Sequence, residues 1–207
     1  MPDVFAGFRD LPPHGIAGLA ILLLYAIESE LRFGAKARSL STGGSDRQST
    51  FAVSLASAVP VLGFVLALKT TSSWVPGFFR VPALPGLPAT SWAGVVVAAI
   101  GLVVRAWALL TLRDRYTRTL MTHADHAFER GGPYRWIRHP GYLGSLLCLN
   151  GLAMASGSVV VLLASIAATL LGYAYRIRVE DEMLVRTFGD AYAAYRREVN
   201  ALVPSRR

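Results

Sequence analysis

The sequence predicts an all-α integral membrane protein with about five transmembrane helices, a C-terminal helical hairpin and a cytoplasmic amphipathic helix. Three observations carry this expectation. The 207 residues are 53% hydrophobic and only 16% charged, with a mean hydropathy of +0.43, whereas a soluble domain carries about 25% charged residues. Several apolar segments approach the ~20 residues that a spanning helix needs. Apart from Arg105, lysine and arginine lie in the stretches that flank those segments or at their ends, the pattern of loops meeting an anionic membrane surface.

The first apolar segment, about 13–33, has a strong centre at Ile16–Ile27 and ends among Glu28, Glu30 and Arg32. It is preceded by Asp3, Arg9, Asp10 and two prolines, not by a basic leader region, and reads as a retained anchor. The second, about 50–69, carries Pro60 in its middle, where a backbone donor is lost and a kink is expected. The third, about 91–112, is interrupted only by Arg105. The fourth, about 140–156, opens on Pro140, a favoured first-turn residue. Ala155-Ser156-Gly157-Ser158 then joins it in a tight hairpin to the fifth, about 158–175. From about 176 to 199, Val179, Met183 and Val185 alternate with charges, and Tyr192 and Tyr195 follow three apart, so the fifth helix continues as an amphipathic one. The chain divides into an N-terminal part, 1–90, with two helices and a proline- and aromatic-rich outer loop, and a core, 91–207.

Arginine placement sets the orientation. Arg113, Arg115, Arg118, Arg130, Arg135 and Arg138 lie between the third and fourth segments, and seven more arginines follow residue 175. The 70–90 loop has Arg80 and the hairpin tip has none. The 34–49 loop, the 113–139 segment and the tail are therefore expected in the cytoplasm, with the N-terminus outside.

The net charge of +8 does not form one continuous basic face, which excludes nucleic acid as a partner. The single cysteine, Cys148, sits in an apolar run and forms no disulfide framework, and no Cys/His spacing suggests a metal site. There is no Gly-x-Gly-x-x-Gly after a strand, no Walker loop, no Gly-x-Ser-x-Gly elbow and no His-Glu-x-x-His helix.

The chemistry-bearing residues lie on either side of the hairpin. Glu180, Asp181 and Glu182 stand one turn beyond the fifth apolar segment, with Arg176 at i−4 from Glu180. They form either a surface ion-pair array or a site in which a carboxylate holds cofactor hydroxyls or an ammonium while Arg176 faces an anionic acceptor group. His139 precedes Pro140 at a helix start, where free N–H groups and the macrodipole favour an anion, and where an interfacial anchor is the alternative. Gly141 and Gly144 allow close approach. Tyr134, Trp136 and Tyr142 suit an interfacial aromatic belt. Arg105 either snorkels to the cytoplasmic surface or lines a cavity.

The run Gly132-Pro133-Tyr134…Arg138-His139-Pro140-x-Tyr142-x-Gly144, followed by Arg176…Glu180-Asp181…Leu184…Phe188-Gly189…Tyr192…Tyr195, resembles the isoprenylcysteine carboxyl methyltransferase family, to which the phospholipid N-methyltransferases are related. The resemblance covers about 105–204. It implies an integral membrane enzyme that transfers a methyl group from S-adenosyl-L-methionine to a lipophilic small molecule or lipid. The implied cofactor contacts are His126, Ala127, Phe128, Glu129, Tyr134, His139, Pro140, Gly141, Tyr142 and Glu180. Arg176 matches the position that meets an acceptor carboxylate, and Asp181 is the second candidate catalytic group. Glu180-Asp181 replaces two consecutive glutamates, and Thr119 stands where some relatives carry an amide. The alanine-, arginine- and glycine-rich composition points to a bacterial cytoplasmic membrane. Two other readings share the C-terminal pattern: a reductase that binds NADPH through Arg113, Arg115 and Arg118, and a non-catalytic protein of the same fold.

Overall fold

The computed structural model describes residues 11–37, 48–70, 86, 88–112 and 128–204. Its elements are α1 (Pro13–Ala37), α2 (Ser49–Thr70), α3 (Ala89–Leu112), a 3₁₀ turn (Gly132–Arg135), α4 (Pro140–Ala155) and α5 (Val159–Glu198). All five expected helices are present among the described residues. Three are long and apolar enough to cross a membrane: Ser49–Leu68, Ala89–Leu112 and the apolar part of Val159–Glu198. The other two are shorter. The apolar stretch of α1 is Pro13–Ser29, and the 16 residues of α4 rise about 24 Å, less than the ~30 Å hydrocarbon layer. Most of the 34–49 and 70–90 loops, and 113–127, lie outside the described residues.

Local chemistry sets the helix ends. The Pro12 carbonyl accepts from Gly15 N–H at 2.8 Å where α1 starts. The hairpin turns at Gly157, whose φ of 73° lies in the left-handed region that glycine tolerates best. Ser158 then caps α5, its hydroxyl accepting from Val161 N–H at 3.2 Å. α2 runs on through the buried Pro60. α5 continues for 40 residues without a loop, as the amphipathic pattern after 176 predicts, and turns only at Gly189 (φ 57°, ψ −137°).

α4 is the centre of the molecule and lies against α1, α2, α3 and α5. Its closest partner is α3, because glycines at seven-residue spacing interlock the two backbones. A Cβ on Gly101 would sit 2.3 Å from the Cys148 nitrogen, and one on Gly94 2.4 Å from that of Ala155. From the other side, a Cβ on Gly144 would lie 2.6 Å from the Arg105 nitrogen and one on Gly151 2.4 Å from that of Ala98. Small residues take this role in membranes because lipid-exposed apolar side chains gain little by leaving lipid, so close van der Waals contact must hold helices together. The small residues of the third helix thus serve its packing on the fourth within one chain, while those of the fifth serve another contact: Gly172 meets Ala52 and Ala56 of α2. Cys148 is fully buried in this seam.

The seam yields a prediction. Gly101→Ala forces the backbones apart and is expected to cost about 1–3 kcal/mol, read as a lower melting temperature in detergent. Gly141→Ala, whose Cβ would meet Ala108 at an ordinary 3.9 Å, is expected to leave the melt unchanged or raise it.

A buried polar network ties the hairpin. The Asn150 amide donates to Thr169 Oγ1 at 3.0 Å and accepts from Ser165 Oγ at 2.8 Å, and Thr169 donates back to the Ser165 carbonyl at 2.7 Å. Each group is satisfied within the protein, as polar side chains in an apolar medium require.

Candidate functional site

Two adjacent residues on α5, Glu180 and Asp181, point about 100° apart around the helix and join two different polar groups. Asp181 is turned inward and is 2% exposed. Its Oδ1 accepts from Tyr192 OH at 2.6 Å and lies 3.0 Å from His139 Nε2. Its Oδ2 accepts from Arg138 Nη2 at 2.9 Å, with Arg196 Nε at 3.6 Å. Burial alone would raise the carboxyl above its ordinary range, but the hydrogen bonds from His139 and Tyr192 and the Arg138 charge pull it below that range. Burial, together with the Asp181 charge, pushes the Tyr192 phenol far up, so it remains a donor.

The segment after α5 completes this lock. Gly189 takes a positive φ that redirects the last turns of α5 and aims Tyr192 and Tyr195 back at the loop before α4. Arg138 N–H donates to the Asn200 carbonyl at 2.9 Å and His139 N–H to that of Ala201 at 3.0 Å. Arg138 Nη1 reaches the carbonyls of Arg196 and Val199, both at 2.7 Å. Phe128, Phe188, Tyr192 and Tyr195 pack ring against ring beside it, with the Arg130 guanidinium 4.6 Å from the Phe128 centroid. Tyr195 OH donates to the Tyr134 carbonyl at 2.6 Å, and Glu129 Oε1 accepts from Gly131 N–H at 2.6 Å.

Glu180 faces the other way, toward the start of α4. Its Oε2 accepts the Tyr142 hydroxyl proton. Arg176 Nε donates to the same Tyr142 hydroxyl at 3.0 Å and stands 3.6 Å from Glu180 Oε2. The His139 and Tyr142 rings stack at 5.4 Å and 12°, and Tyr173 meets Tyr142 edge-on at 5.5 Å. The stacked pair joins the two groups: His139 is held by Asp181 on one side and lies along Tyr142, the partner of Glu180, on the other. Glu180 and Arg176 keep 26% and 23% side-chain exposure, so this pair is reachable while Asp181 is not.

The phospholipid methyltransferase family matches residues 89–191. A protein-S-isoprenylcysteine O-methyltransferase from Tribolium castaneum is 29% identical over 142 residues, 66% of this chain and 50% of that protein. Half of the chain thus matches the phospholipid methyltransferase family, and its relatives include isoprenylcysteine carboxyl methyltransferases. A solved structure of a eukaryotic intramembrane Ras methyltransferase of this isoprenylcysteine family shares the fold, with a TM-score of 0.65 at 23% identity over 95% of this chain and 69% of that one. A bacterial relative, the cobalt-zinc-cadmium resistance protein CzcN of Cupriavidus metallidurans, is 34% identical over 70% of this chain and 60% of its own length. The chain spans about half the length of the first isoprenylcysteine methyltransferases it resembles.

The structure brings Tyr142, His139, Glu180 and Arg176 together at the end of the apolar part of α5, with Pro140 and Gly141 in the first turn beneath them. Phe128, Glu129 and Tyr134 join the loop and aromatic cluster on the lock side. His126 and Ala127 lie outside the described residues, as do Arg113, Arg115, Arg118 and Thr119. Arg105 neither reaches the surface nor stands alone in the membrane: it is 7% exposed, with Nε 2.6 Å from Glu28 Oε2 and Nη1 2.5 Å from Ser145 Oγ. Four participants were given no role by the sequence alone. Arg138 and Tyr192 stood inside the recognised pattern without a role, and Ser49 and Thr50 reach Arg176 from more than 120 residues away.

Proposed function

We propose that this protein is an S-adenosyl-L-methionine-dependent methyltransferase that acts on a lipophilic acceptor at the cytoplasmic face of a bacterial membrane. The observation that carries the reading is the partly exposed Glu180–Tyr142–Arg176 group stacked on His139 at the α4 entrance. It offers a carboxylate for hydroxyl or ammonium groups, a flat aromatic surface and a guanidinium, a donor set that fits a nucleoside–amino-acid cofactor beside an anionic acceptor.

S-adenosyl-L-methionine would supply an electrophilic sulfonium methyl and its own leaving group. The residues of this chain are left to bind, to align and to exclude water. Glu180 would hold the cofactor, with its rotamer set by the Tyr142 hydroxyl. His126, Ala127, Phe128, Glu129, Tyr134, His139, Pro140 and Gly141 would complete the cofactor side. Arg176 would orient the acceptor. A carboxylate acceptor is already a nucleophile and needs no base; a phenol or thiol must lose its proton, and Glu180 or His139 would take it. Both oxygens of Asp181 are engaged inside the protein, which supports a positioning role in place of direct catalysis: it would hold the His139 ring in the plane on which Tyr142 stacks. The lipophilic part of the acceptor would enter from the bilayer and the polar cofactor from the cytoplasm.

Calorimetry on the detergent-purified protein tests this reading. Micromolar binding of S-adenosyl-L-methionine, with none of NADPH, is the expected result. Absence of methyl-donor binding would discard the reading, and NADPH binding in its place would turn it toward a reductase. For the orientation, single cysteines placed in 113–139 should react with an impermeant thiol reagent only from the cytoplasmic side of inverted vesicles.

A further inference from the structure

Arg130, Arg135 and Arg138 stand on one short segment and are used differently. Arg130 donates to the Ala191 carbonyl at 2.9 Å and lies over the Phe128 ring. Arg138 is held by Asp181 and by two backbone carbonyls. Arg135 is exposed and has no oxygen acceptor among the described residues; its guanidinium lies 5.9 Å from the Trp136 ring centroid. Trp136 is 46% exposed and meets Trp107 of α3, 47% exposed, with the ring centroids 6.3 Å apart. The 3₁₀ turn brings the two rings together. Gly132, with a φ of 51°, fits so closely against Thr111 that a Cβ there would sit 2.7 Å from Oγ1, which lays the turn on the last turns of α3. Neither indole N–H has an acceptor among the described residues, so both remain available as donors.

Trp107 belongs to an exposed stripe of α3 made by Trp92, Val96, Ile100, Val103, Trp107 and Leu110. Steps of three and four residues keep the stripe on one face, opposite the glycine seam that packs on α4. Its two tryptophans are about 22 Å apart along the helix, and amphipathic rings at both ends of an apolar stripe mark the two membrane interfaces. The ends differ in charge. Trp92 meets the His14 ring edge-on at 6.4 Å, with no arginine beside it among the described residues, whereas Trp107 has Trp136 and Arg135. An acyl chain laid along Ile100 and Val103 would bring its ester and phosphate oxygens to the level of Trp107. A planar guanidinium suits a phosphodiester, and indole N–H groups suit ester carbonyls.

We infer that Arg135, Trp136 and Trp107 form a binding seat for an anionic phospholipid, its phosphate against Arg135 and one acyl chain along the outer face of α3. A zwitterionic headgroup carries its own ammonium beside the phosphate, while an anionic glycerol headgroup leaves the phosphate to pair with the guanidinium. The seat lies on the far side of α3 from α4 and is independent of the methyl-transfer reading.

The test reconstitutes the full-length chain into mixed vesicles in which either the phosphatidylcholine or the phosphatidylglycerol carries bromine high on its acyl chains. In a Trp74→Phe/Trp92→Phe parent the tryptophan fluorescence comes from Trp107 and Trp136 alone, so quenching reports which lipid sits beside them. Phosphatidylglycerol should be favoured about fivefold, the ratio for one arginine beside an anionic lipid. Arg135→Gln should bring the ratio to about one. Arg178→Gln, which removes an exposed charge paired with Glu182 on α5, should leave it near fivefold. Thermal melts would establish that each variant is folded; if the parent is not, the difference between wild type and Trp107→Phe/Trp136→Phe gives the same ratio. A ratio near one without the Arg135 substitution overturns the inference. So does a preference that survives Arg135→Gln, or one that falls equally in Arg178→Gln, which would assign it to diffuse positive surface charge.

Discussion

Asp181→Ala is expected to cost about 3–5 kcal/mol of stability, the range for removing one partner of a buried charge cluster, and to abolish folding in a marginal detergent. The side chain is almost inaccessible, and its loss would strand Arg138, His139 and Tyr192 at once. Arg138 and His139 are also the residues whose backbone pairs with Asn200 and Ala201, so the segment after α5 should loosen with them. Asp181→Asn keeps the shape but loses the charge and is expected to fall between wild type and alanine. Chemical unfolding monitored by tryptophan fluorescence would measure the series, and hydrogen exchange at 196–201 would report the loosening.

The same group has a defined pH signature. The folded-state pKa of Asp181 lies below its unfolded value because the donors around it favour the ionised form. Its stabilisation is therefore present in full above the ordinary carboxylate range, about pH 4, and is lost as pH falls through the lower folded value. A wild-type stability profile should be flat in this contribution from neutral pH down to about pH 4 and decline below it, and Asp181→Asn should remove that part of the decline.

Glu180→Ala, one residue away, is expected to do the reverse: weaken S-adenosyl-L-methionine binding about 100-fold while leaving the melt nearly unchanged. Two charge-assisted hydrogen bonds of about 1.5 kcal/mol each convert to that ratio. Glu180 is partly exposed and its partners Tyr142 and Arg176 each hold other contacts, so little of the fold depends on it. Tyr142→Phe should lose less, about tenfold, because it frees the Glu180 rotamer without removing the charge. Titration calorimetry on the two variants checks both figures. Equal loss of stability in Glu180→Ala and Asp181→Ala would contradict the division between a binding face and a locking face.

Much of the architecture was legible in the chain because it depends on local properties. Apolar length located the helices, Pro140 marked the start of α4, and the Ala155-Ser156-Gly157-Ser158 run marked the hairpin turn. The Phe188-Gly189 pair stood in the recognised pattern, but its mechanical role, a positive-φ break that folds Tyr192 back onto Asp181, required the backbone to be seen. Arg105 remained open between two readings since a charged residue in an apolar run does not reveal its partner; Glu28, 77 residues earlier, supplied it. The division of labour between Glu180 and Asp181 was equally hidden. Adjacent helical residues must point in different directions, but which direction meets Tyr142 and which meets His139 depends on how α4 is set against α5.

The sequence by itself determined that this is a helical membrane protein, where its helices lie and which family it resembles, because length, hydropathy, proline and glycine act over a few residues and a family pattern is a linear record. Only the tertiary structure decided which carboxylate is locked and which is available, and that α2 holds Arg176. Those outcomes rest on contacts between residues 38 to 127 positions apart, and such contacts exist only once glycine-to-backbone packing has fixed the register of one helix on the next.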